Sequence, residues 1–277
     1  MSVLVQINQK SLLKKRLGLH EIIEILNLAY GTYDEGYRLK EYVESENMLI
    51  YEESQPARGI ELSFEKDDIF LALNLPTTLP EIRCFYNSIE RICKKLKKHS
   101  YLRDGKKVLL KEKENLIRCD AAASIEALRD IEGKLVSGEY TYFVLFGVLH
   151  PVSIGLQEIN EINGDLDCFA RCLDRLQSID AYYAWPKSYK ISDRWAGIYV
   201  VGADIQSIVP IEPSFLINSS QNIDEWYMLF GEKRVVKYQD FIEHVNEKRY
   251  YDANHVMVVL SESEIEMLTE NYGVNLF

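Results

Sequence analysis

The residue types best suited to proton exchange or metal binding cluster near the C-terminal end of the chain. Residues 250–255 read YYDANH, and His244 lies shortly before them. A turn can bring Asp252 and His255 together, where they could act as acid–base partners or offer an oxygen and a nitrogen to a metal. Glu212 in the IEPS segment is the additional carboxylate of this interpretation. Asp and Asn also favour turns because they bond their own backbone, so a polar turn before the apolar segment VMVVL explains the same pattern.

A second candidate region is rich in aromatic residues. Six aromatic side chains fall within eighteen residues: Tyr182, Tyr183, Trp185, Tyr189, Trp195 and Tyr199. On an extended strand, Tyr183, Trp185 and Tyr189 would share one face. Tyr and Trp combine apolar area with a hydrogen-bonding tip, which suits a binding surface, so Tyr183, Trp185, Tyr189 and Trp195 are the predicted binding residues. Aromatic residues are also good strand formers, so packing beneath the helix that carries Cys168 remains the alternative.

Metal and cofactor motifs are missing from the sequence. Cys168 and Cys172 stand one helical turn apart, which is half of a metal site, but no CxxC or HxxxH pair complements them. There is no Walker loop, no GxGxxG and no GxSxG motif. We therefore expect no metal and no cofactor. The odd number of cysteines, five, favours reduced and buried thiols over a disulfide framework.

The charge distribution bears on partners and on location. Residues 1–118 carry 20 Lys and Arg against 18 Asp and Glu, whereas residues 119–277 carry 12 against 25. The acidic C-terminal part weighs against nucleic-acid binding. A basic stretch over residues 91–118 is either a solvated helix end and loop or a surface for an acidic partner.

We expect no membrane association, since the longest apolar run, 142–149, is too short to cross a bilayer. The N-terminal basic cluster follows its short apolar stretch, the reverse of a secretory signal. These features predict a cytoplasmic protein.

Two segments share a helical pattern 84 positions apart, EIRCFYNSIERI at 81–92 and DLDCFARCLDRL at 165–176. Each follows an apolar segment that ends at a proline, at 69–76 and 142–151. A duplicated strand-then-helix unit would produce this pattern, and so would any two amphipathic helices. Strands in adjacent clusters favour an α+β fold over a doubly wound sheet.

The predicted organisation is two related strand-rich units, each covered by an amphipathic helix. They are an N-terminal unit at 1–104 and an acidic C-terminal unit at 140–277, with a helical connector at 105–139.

Several phrases of the sequence resemble a known family: LNLPTTLPEIRCFY, GDLDCF, RLQSIDAYYAWPKSY, GIYVVG, IVPIEPS and YYDANH. They are similar to an uncharacterised family of bacterial cytoplasmic proteins of similar length, a domain of unknown function. The resemblance covers nearly the full chain and implies a bacterial cytoplasmic origin. It implies no activity, ligand or catalytic residue.

The sequence therefore favours a non-enzymatic α+β protein that binds a protein or a small molecule. The alternative is a small-molecule enzyme that uses an Asp/His pair within 244–255. The identity of the partner and self-association stay open at this stage.

Overall fold

The computed structural model describes residues 1–9, 16–34, 38–65, 68–215, 222–231 and 233–276. The chain forms two compact units, Met1–Ser178 and Ile179–Phe277. Strands and helices occur in separate groups along the chain, which confirms the α+β class. No helix within the described ranges is long and apolar enough to cross a membrane.

The first unit is built on an antiparallel sheet of eight strands, in the order β3-β2-β4-β5-β6-β1-β7-β8. The strands are β1 (Ser2–Asn8), β2 (Ala29–Tyr33), β3 (Leu39–Glu41), β4 (Asn47–Tyr51), β5 (Ile60–Glu65), β6 (Asp68–Asn74), β7 (Ser100–Arg103) and β8 (Lys106–Leu109). Val3, Val5 and Ile7 alternate with more exposed residues along β1, so one face of this central strand enters the core. The apolar runs at 60–64 and 69–75, with a charged turn between them, predict two antiparallel neighbours, and β5 and β6 pair in this way. Residues 66–67 of the turn lie outside the described residues.

Three α-helices lie between or directly after the strands of this sheet in the chain. They are α1 (Leu19–Leu26), α2 (Leu79–Lys95) and α3 (Lys113–Val136), the last preceded by a 3-10 turn at Leu110–Glu112. The Thr78 hydroxyl caps α2 by accepting from the Glu81 amide, as the spacing of the two residues predicts. The apolar stripe of α2, including Ile82, Phe85 and Ile89, belongs to one buried cluster with the sheet residues Val5 and Leu71.

Within the segment predicted as a helical connector, residues 110–136 are helical, whereas residues 106–109 form β8, and the whole segment belongs to the first unit. The Tyr86 hydroxyl on α2 donates to Asp120 on α3 at 2.6 Å, and Arg103 pairs with the same carboxylate. Cys119 on this helix is exposed, Cys84 and Cys168 are half-buried and Cys93 and Cys172 are buried, so the expectation of buried thiols holds only in part. All five thiols are free.

The remainder of the first unit differs from the predicted strand at 142–151. It forms a short hairpin, β9 (Phe143–Phe146) and β10 (Pro151–Ile154), followed by α4 (Leu156–Ile162) and α5 (Leu166–Gln177). The Asp165 side chain caps α5 by accepting from the Asp167 and Cys168 amides, as an Asp directly before an amphipathic segment predicts. A strand and a helix thus separate β9 from α5, whereas α2 follows β6 directly, so the strand-then-helix order does not repeat.

The first unit extends to Ser178, whereas the sequence pattern places a division within 105–139. The reason is a set of bonds made by the loop at 54–59. The Ala57 carbonyl accepts from the Val148 amide at 3.0 Å and from the Gln177 side chain at 2.6 Å. The Gln177 side chain also accepts from the Leu149 amide at 2.9 Å. These contacts join the hairpin and the end of α5 to the N-terminal half of the unit.

The second unit contains two mixed sheets of four strands, in the orders β11-β14-β18-β17 and β12-β13-β15-β16. Their elements are β11 (Tyr182–Tyr183), β12 (Lys187–Ile191), β13 (Arg194–Val201), β14 (Ser207–Pro210), β15 (Glu225–Phe230), β16 (Arg234–Lys237), α6 (Tyr238–His244), β17 (Arg249–Asp252), β18 (His255–Val258) and α7 (Glu262–Tyr272). A buried cluster that includes Tyr199, Phe230, Phe241 and Leu268 joins both sheets to the helices.

Candidate functional site

The turn between β17 and β18 brings Asp252 and His255 together. His255 Nδ1 lies 2.8 Å from Asp252 Oδ1, and His255 Nε2 lies 2.8 Å from the Tyr183 hydroxyl on β11. The Asn254 amide also donates to Asp252 Oδ1, at 3.0 Å, which is the bond of an Asx turn. We call Tyr183, His255 and Asp252 the buried triad. The Asp252–His255 contact and the Asx turn therefore occur together, and this geometry is compatible with both interpretations of YYDANH.

The hydrogen-bond directions in the buried triad follow from what each group can donate. The arrangement suits a His255 tautomer that donates from Nδ1 to the Asp252 carboxyl oxygen and accepts from the Tyr183 hydroxyl at Nε2. Burial, followed by the nearby Asp252 charge, raises the pKa of Tyr183 well above its ordinary value. The phenol therefore stays protonated and completes a satisfied chain of hydrogen bonds.

The buried triad is closed to solvent. Asp252 is 0 % exposed and His255 is 3 % exposed. The space beside them is lined by Tyr183, Trp185, Tyr199, Pro210, Ser214, Asn254 and His255, together with Ala184 and Pro186, and its volume is about 10 Å³. A space of that size accepts at most about one water molecule. The half-buried Trp185 ring packs against the Tyr183 ring at a tilt of 50°, with 5.0 Å between the ring centroids.

The two other residues of the predicted acid–base set do not join the triad. His244, at the end of α6, is exposed, stacks on Tyr272 at 4.2 Å and has its Nδ1 2.8 Å from the Asp240 carbonyl. Glu212 is exposed, and it contacts this region through its backbone amide, which donates to the Asn254 side chain at 3.1 Å.

The predicted aromatic face is divided between two sheets. Tyr183 lies on β11 and Tyr189 on β12, so the expectation that they share a face with Trp185 is wrong. Trp185 and Pro186 interrupt the predicted strand between them, because proline cannot donate to a ladder. Tyr189 is exposed and Trp195 is half-buried on the neighbouring strand β13.

A larger opening lies in the first unit, along the outer side of α2. This cavity of about 420 Å³ is lined by Asn27, Leu28, Tyr51, Glu52, Gln55, Ile60, Pro80, Glu81, Arg83, Cys84, Asn87, Ser88 and Arg91. We call it the α2 groove. The residues of α2 that line it are spaced three or four apart, because residues at this spacing lie one above another on the same face of a helix. The sequence signal for this groove is the polar side of the amphipathic helical segment at 81–92.

The α2 groove has a cationic wall. Arg83 is exposed and makes no hydrogen bond or ion pair with any residue of the described ranges. Arg91, two turns further along, donates to the Leu26 carbonyl at 2.5 Å and is also exposed. Glu52 is the exposed carboxylate of the lining. Burial raises the pKa of Cys84 to about 11, so this thiol is protonated at neutral pH.

Glu81 fixes the opposite wall of the α2 groove. Its buried carboxylate accepts from the Gly59 amide at 2.6 Å, from the Arg58 amide at 3.1 Å and from the Thr77 hydroxyl. Burial is the largest influence on Glu81 and raises its pKa, while these donors act in the opposite direction. The carboxylate is therefore committed to the loop at 54–59.

Within the described ranges, no three His, Cys, Asp or Glu side chains converge in an arrangement that could hold a metal ion. Cys168 and Cys172 both lie on α5. Cys172 is buried, and burial raises its pKa to about 12.

A family model described as a domain of unknown function, DUF4299, matches residues 2–268. The chain belongs to this family. No curated protein and no solved structure matches it. The DUF4299 assignment confirms the family resemblance seen in the sequence and carries no activity with it.

Proposed function

We propose that this DUF4299 chain is a non-enzymatic ligand-binding protein that holds an anionic group in the α2 groove. The observation that carries the proposal is the unengaged Arg83 guanidinium on the wall of a cavity of about 420 Å³. Cavities of this size are typical of small-molecule sites. Unpaired guanidinium groups recognise carboxylates and phosphates through two parallel hydrogen bonds.

The other lining groups support the same chemistry. Asn27, Gln55 and Asn87 offer amide donors, and Arg91 supplies a second positive charge. Glu81 adds no exposed negative charge to the lining, because its side chain is buried and burial raises its pKa. The net character of the exposed lining is cationic.

The groove lacks an activated nucleophile, which favours binding over catalysis. With a pKa of about 11, the Cys84 thiol is not a thiolate at neutral pH. Glu81 is held by backbone donors and is buried, so it is not free to act as a general base toward a ligand.

The proposed location is the bacterial cytoplasm. Five free cysteines support it, since reducing compartments keep thiols unpaired. The family resemblance of the sequence supports a bacterial origin.

The test is a thermal-shift titration of the purified chain with inorganic phosphate, succinate and citrate. The variants are Arg83→Ala and a control, Arg118→Ala, which removes the same charge from an exposed position on α3. We expect at least one anion to raise the midpoint of the wild type and of the control and to raise that of Arg83→Ala much less. Equal shifts in all three proteins, or no shift in any, would contradict the proposal.

The second candidate is acid–base catalysis at the buried triad, and the two 2.8 Å contacts of His255 favour it. It requires Trp185 to move away, because the adjoining space is only about 10 Å³. Tyr183→Phe distinguishes the candidates. A metabolite whose stabilising effect is lost in Tyr183→Phe and kept in Arg83→Ala would favour the enzyme.

A further inference from the structure

We infer that the ligand of the α2 groove is an elongated chain with opposite charges at its two ends, the chemistry of an extended peptide. This inference rests on the proposed function and specifies its ligand. A second cavity in the same unit carries it. This cavity of about 340 Å³ is lined by Ser54, Gln55 and Pro80 and, on α5, by Asp167, Arg171 and Asp174. We call it the α5 groove.

The two grooves meet. Gln55 and Pro80 line both of them, so the two cavities adjoin along one shared wall, formed by the loop at 54–59 and the start of α2. A ligand that follows this wall passes from the outer side of α2 to the outer side of α5. Its form must therefore be extended.

The ends of the combined trough differ in charge. The α2 groove presents Arg83 and Arg91, whereas the α5 groove presents Asp167 and Asp174, two helical turns apart. Both aspartates are exposed, and neither forms an ion pair with a residue in the described part of the chain. The intervening Arg171 donates to Cys168 Sγ at 3.2 Å and does not neutralise either carboxylate by contact. The α5 end therefore suits an ammonium or guanidinium group.

The middle of the trough suits a peptide backbone. The Gln55 amide can both donate and accept, and the Ser54 hydroxyl can do the same. The loop that carries these residues is held from below, because Glu81 binds the Gly59 amide and Gln177 binds the Ala57 carbonyl. A wall that is already ordered loses little entropy when the ligand binds.

The experiment uses fluorescent peptides and the full chain at low ionic strength, with binding followed by anisotropy. The dipolar probe is acetyl-Glu-Glu-Gly-Ser-Gly-Ser-Lys-Lys-amide, together with its reversed sequence so that both chain directions are covered. The matched probes replace the two lysines by glutamines. The protein variants are Arg83→Ala and a double variant that combines Asp167→Asn with Asp174→Asn. A second double variant, which combines Glu114→Gln with Glu132→Gln, is the control. The control removes the same charge from exposed positions on α3.

We expect one dipolar peptide to bind about tenfold tighter than its glutamine counterpart at low ionic strength, as two exposed ion pairs, one at each aspartate, give together. The double variant at Asp167 and Asp174 should abolish this difference in affinity and leave the affinity of the glutamine peptide unchanged. Arg83→Ala should weaken the binding of both peptides. The control pair should behave like the wild type.

Equal affinity for lysine and glutamine peptides, with dependence on Arg83, overturns the inference and leaves the proposed function standing. The same holds if the Asp167 and Asp174 pair has no more effect than its control. Absence of any Arg83-dependent binding, by these peptides and by the simple anions, overturns both.

Discussion

The buried triad and the α2 groove place polar groups in opposite situations. Tyr183, His255 and Asp252 satisfy one another in a closed interior with about 10 Å³ of adjoining space. Arg83 is exposed beside about 420 Å³ of open groove and is engaged by no described residue. The residue types that look most catalytic in the sequence are thus the ones whose hydrogen bonds are internal. An ordinary helix surface offers the groups that a ligand can reach.

This difference follows from the cost of burying polar groups. A buried donor or acceptor without a partner costs about 1–3 kcal/mol, so interior polar residues tend to be completed by their neighbours. An exposed guanidinium pays no such cost because water solvates it, and it keeps its capacity for a ligand. The two regions should therefore respond differently to substitution.

The largest effect should come from Asp252→Ala. It leaves the His255 Nδ1 proton and the Asn254 amide without their acceptor, and each such loss costs about 1–3 kcal/mol. We expect the free energy of unfolding of the second unit to fall by about 3 kcal/mol, measured by urea unfolding. Arg83→Ala should change stability by less than about 0.5 kcal/mol. Similar values for the two variants would remove the contrast between the regions.

Gly59→Ala should come next. Gly59 has a φ of +78°, and an added Cβ would lie 2.7 Å from Leu49 Cδ2. Strain of this kind costs about 1–3 kcal/mol, and the displaced loop should also weaken binding in the α2 groove. Gly105→Ala is the matched control, since Gly105 has a φ of +75° and nothing within 4 Å of the added atom. Denaturant unfolding of both variants should show the greater loss for Gly59→Ala; equal losses would contradict the assigned role of this loop.

Glu81 should make the stability of the first unit depend on pH. Burial raises its pKa in the folded state, so the neutral form is favoured by folding. The stabilisation is complete below the unfolded pKa of Glu, about 4.3, and is lost as pH rises through the folded value. The stability of wild type minus that of Glu81→Gln should therefore fall with rising pH above about 4.3. A difference that is constant, or that rises, in unfolding measured across this range would refute the assignment.

The smallest effect concerns thiol reactivity. Cys119 is exposed, whereas burial raises the pKa of Cys84 and Cys93 to about 11 and that of Cys172 to about 12. Labelling with a maleimide, followed by peptide mass spectrometry, should modify Cys119 first and Cys172 very slowly. A bound ligand should slow only Cys84, the thiol that lines the α2 groove. Protection of Cys172 by the ligand would point to a different site.

Local sequence patterns predicted the elements well where caps and periodicity coincide. Thr78 caps α2, Asp165 caps α5, and Ser261 with Glu264 forms the capping box of α7. They failed where one apolar run divides: the predicted strand within 142–151 became two short strands, and Pro186 separated Tyr183 from Tyr189. Apolar runs and aromatic clusters report an apolar environment, and they do not specify where a chain reverses direction or which sheet it joins.

The sequence by itself determined the α+β class, the main helices, the turn that pairs Asp252 with His255 and the family of the chain. These depend on residues that lie close together along the chain, whose spacing is visible without folding. Only the tertiary structure decided that Tyr183, 72 positions away, closes the buried triad and that Glu81, 22 positions from Gly59, shapes the wall of the groove. Burial and accessibility arise from such distant contacts, because the packing of remote segments determines which polar groups lose water and which keep it.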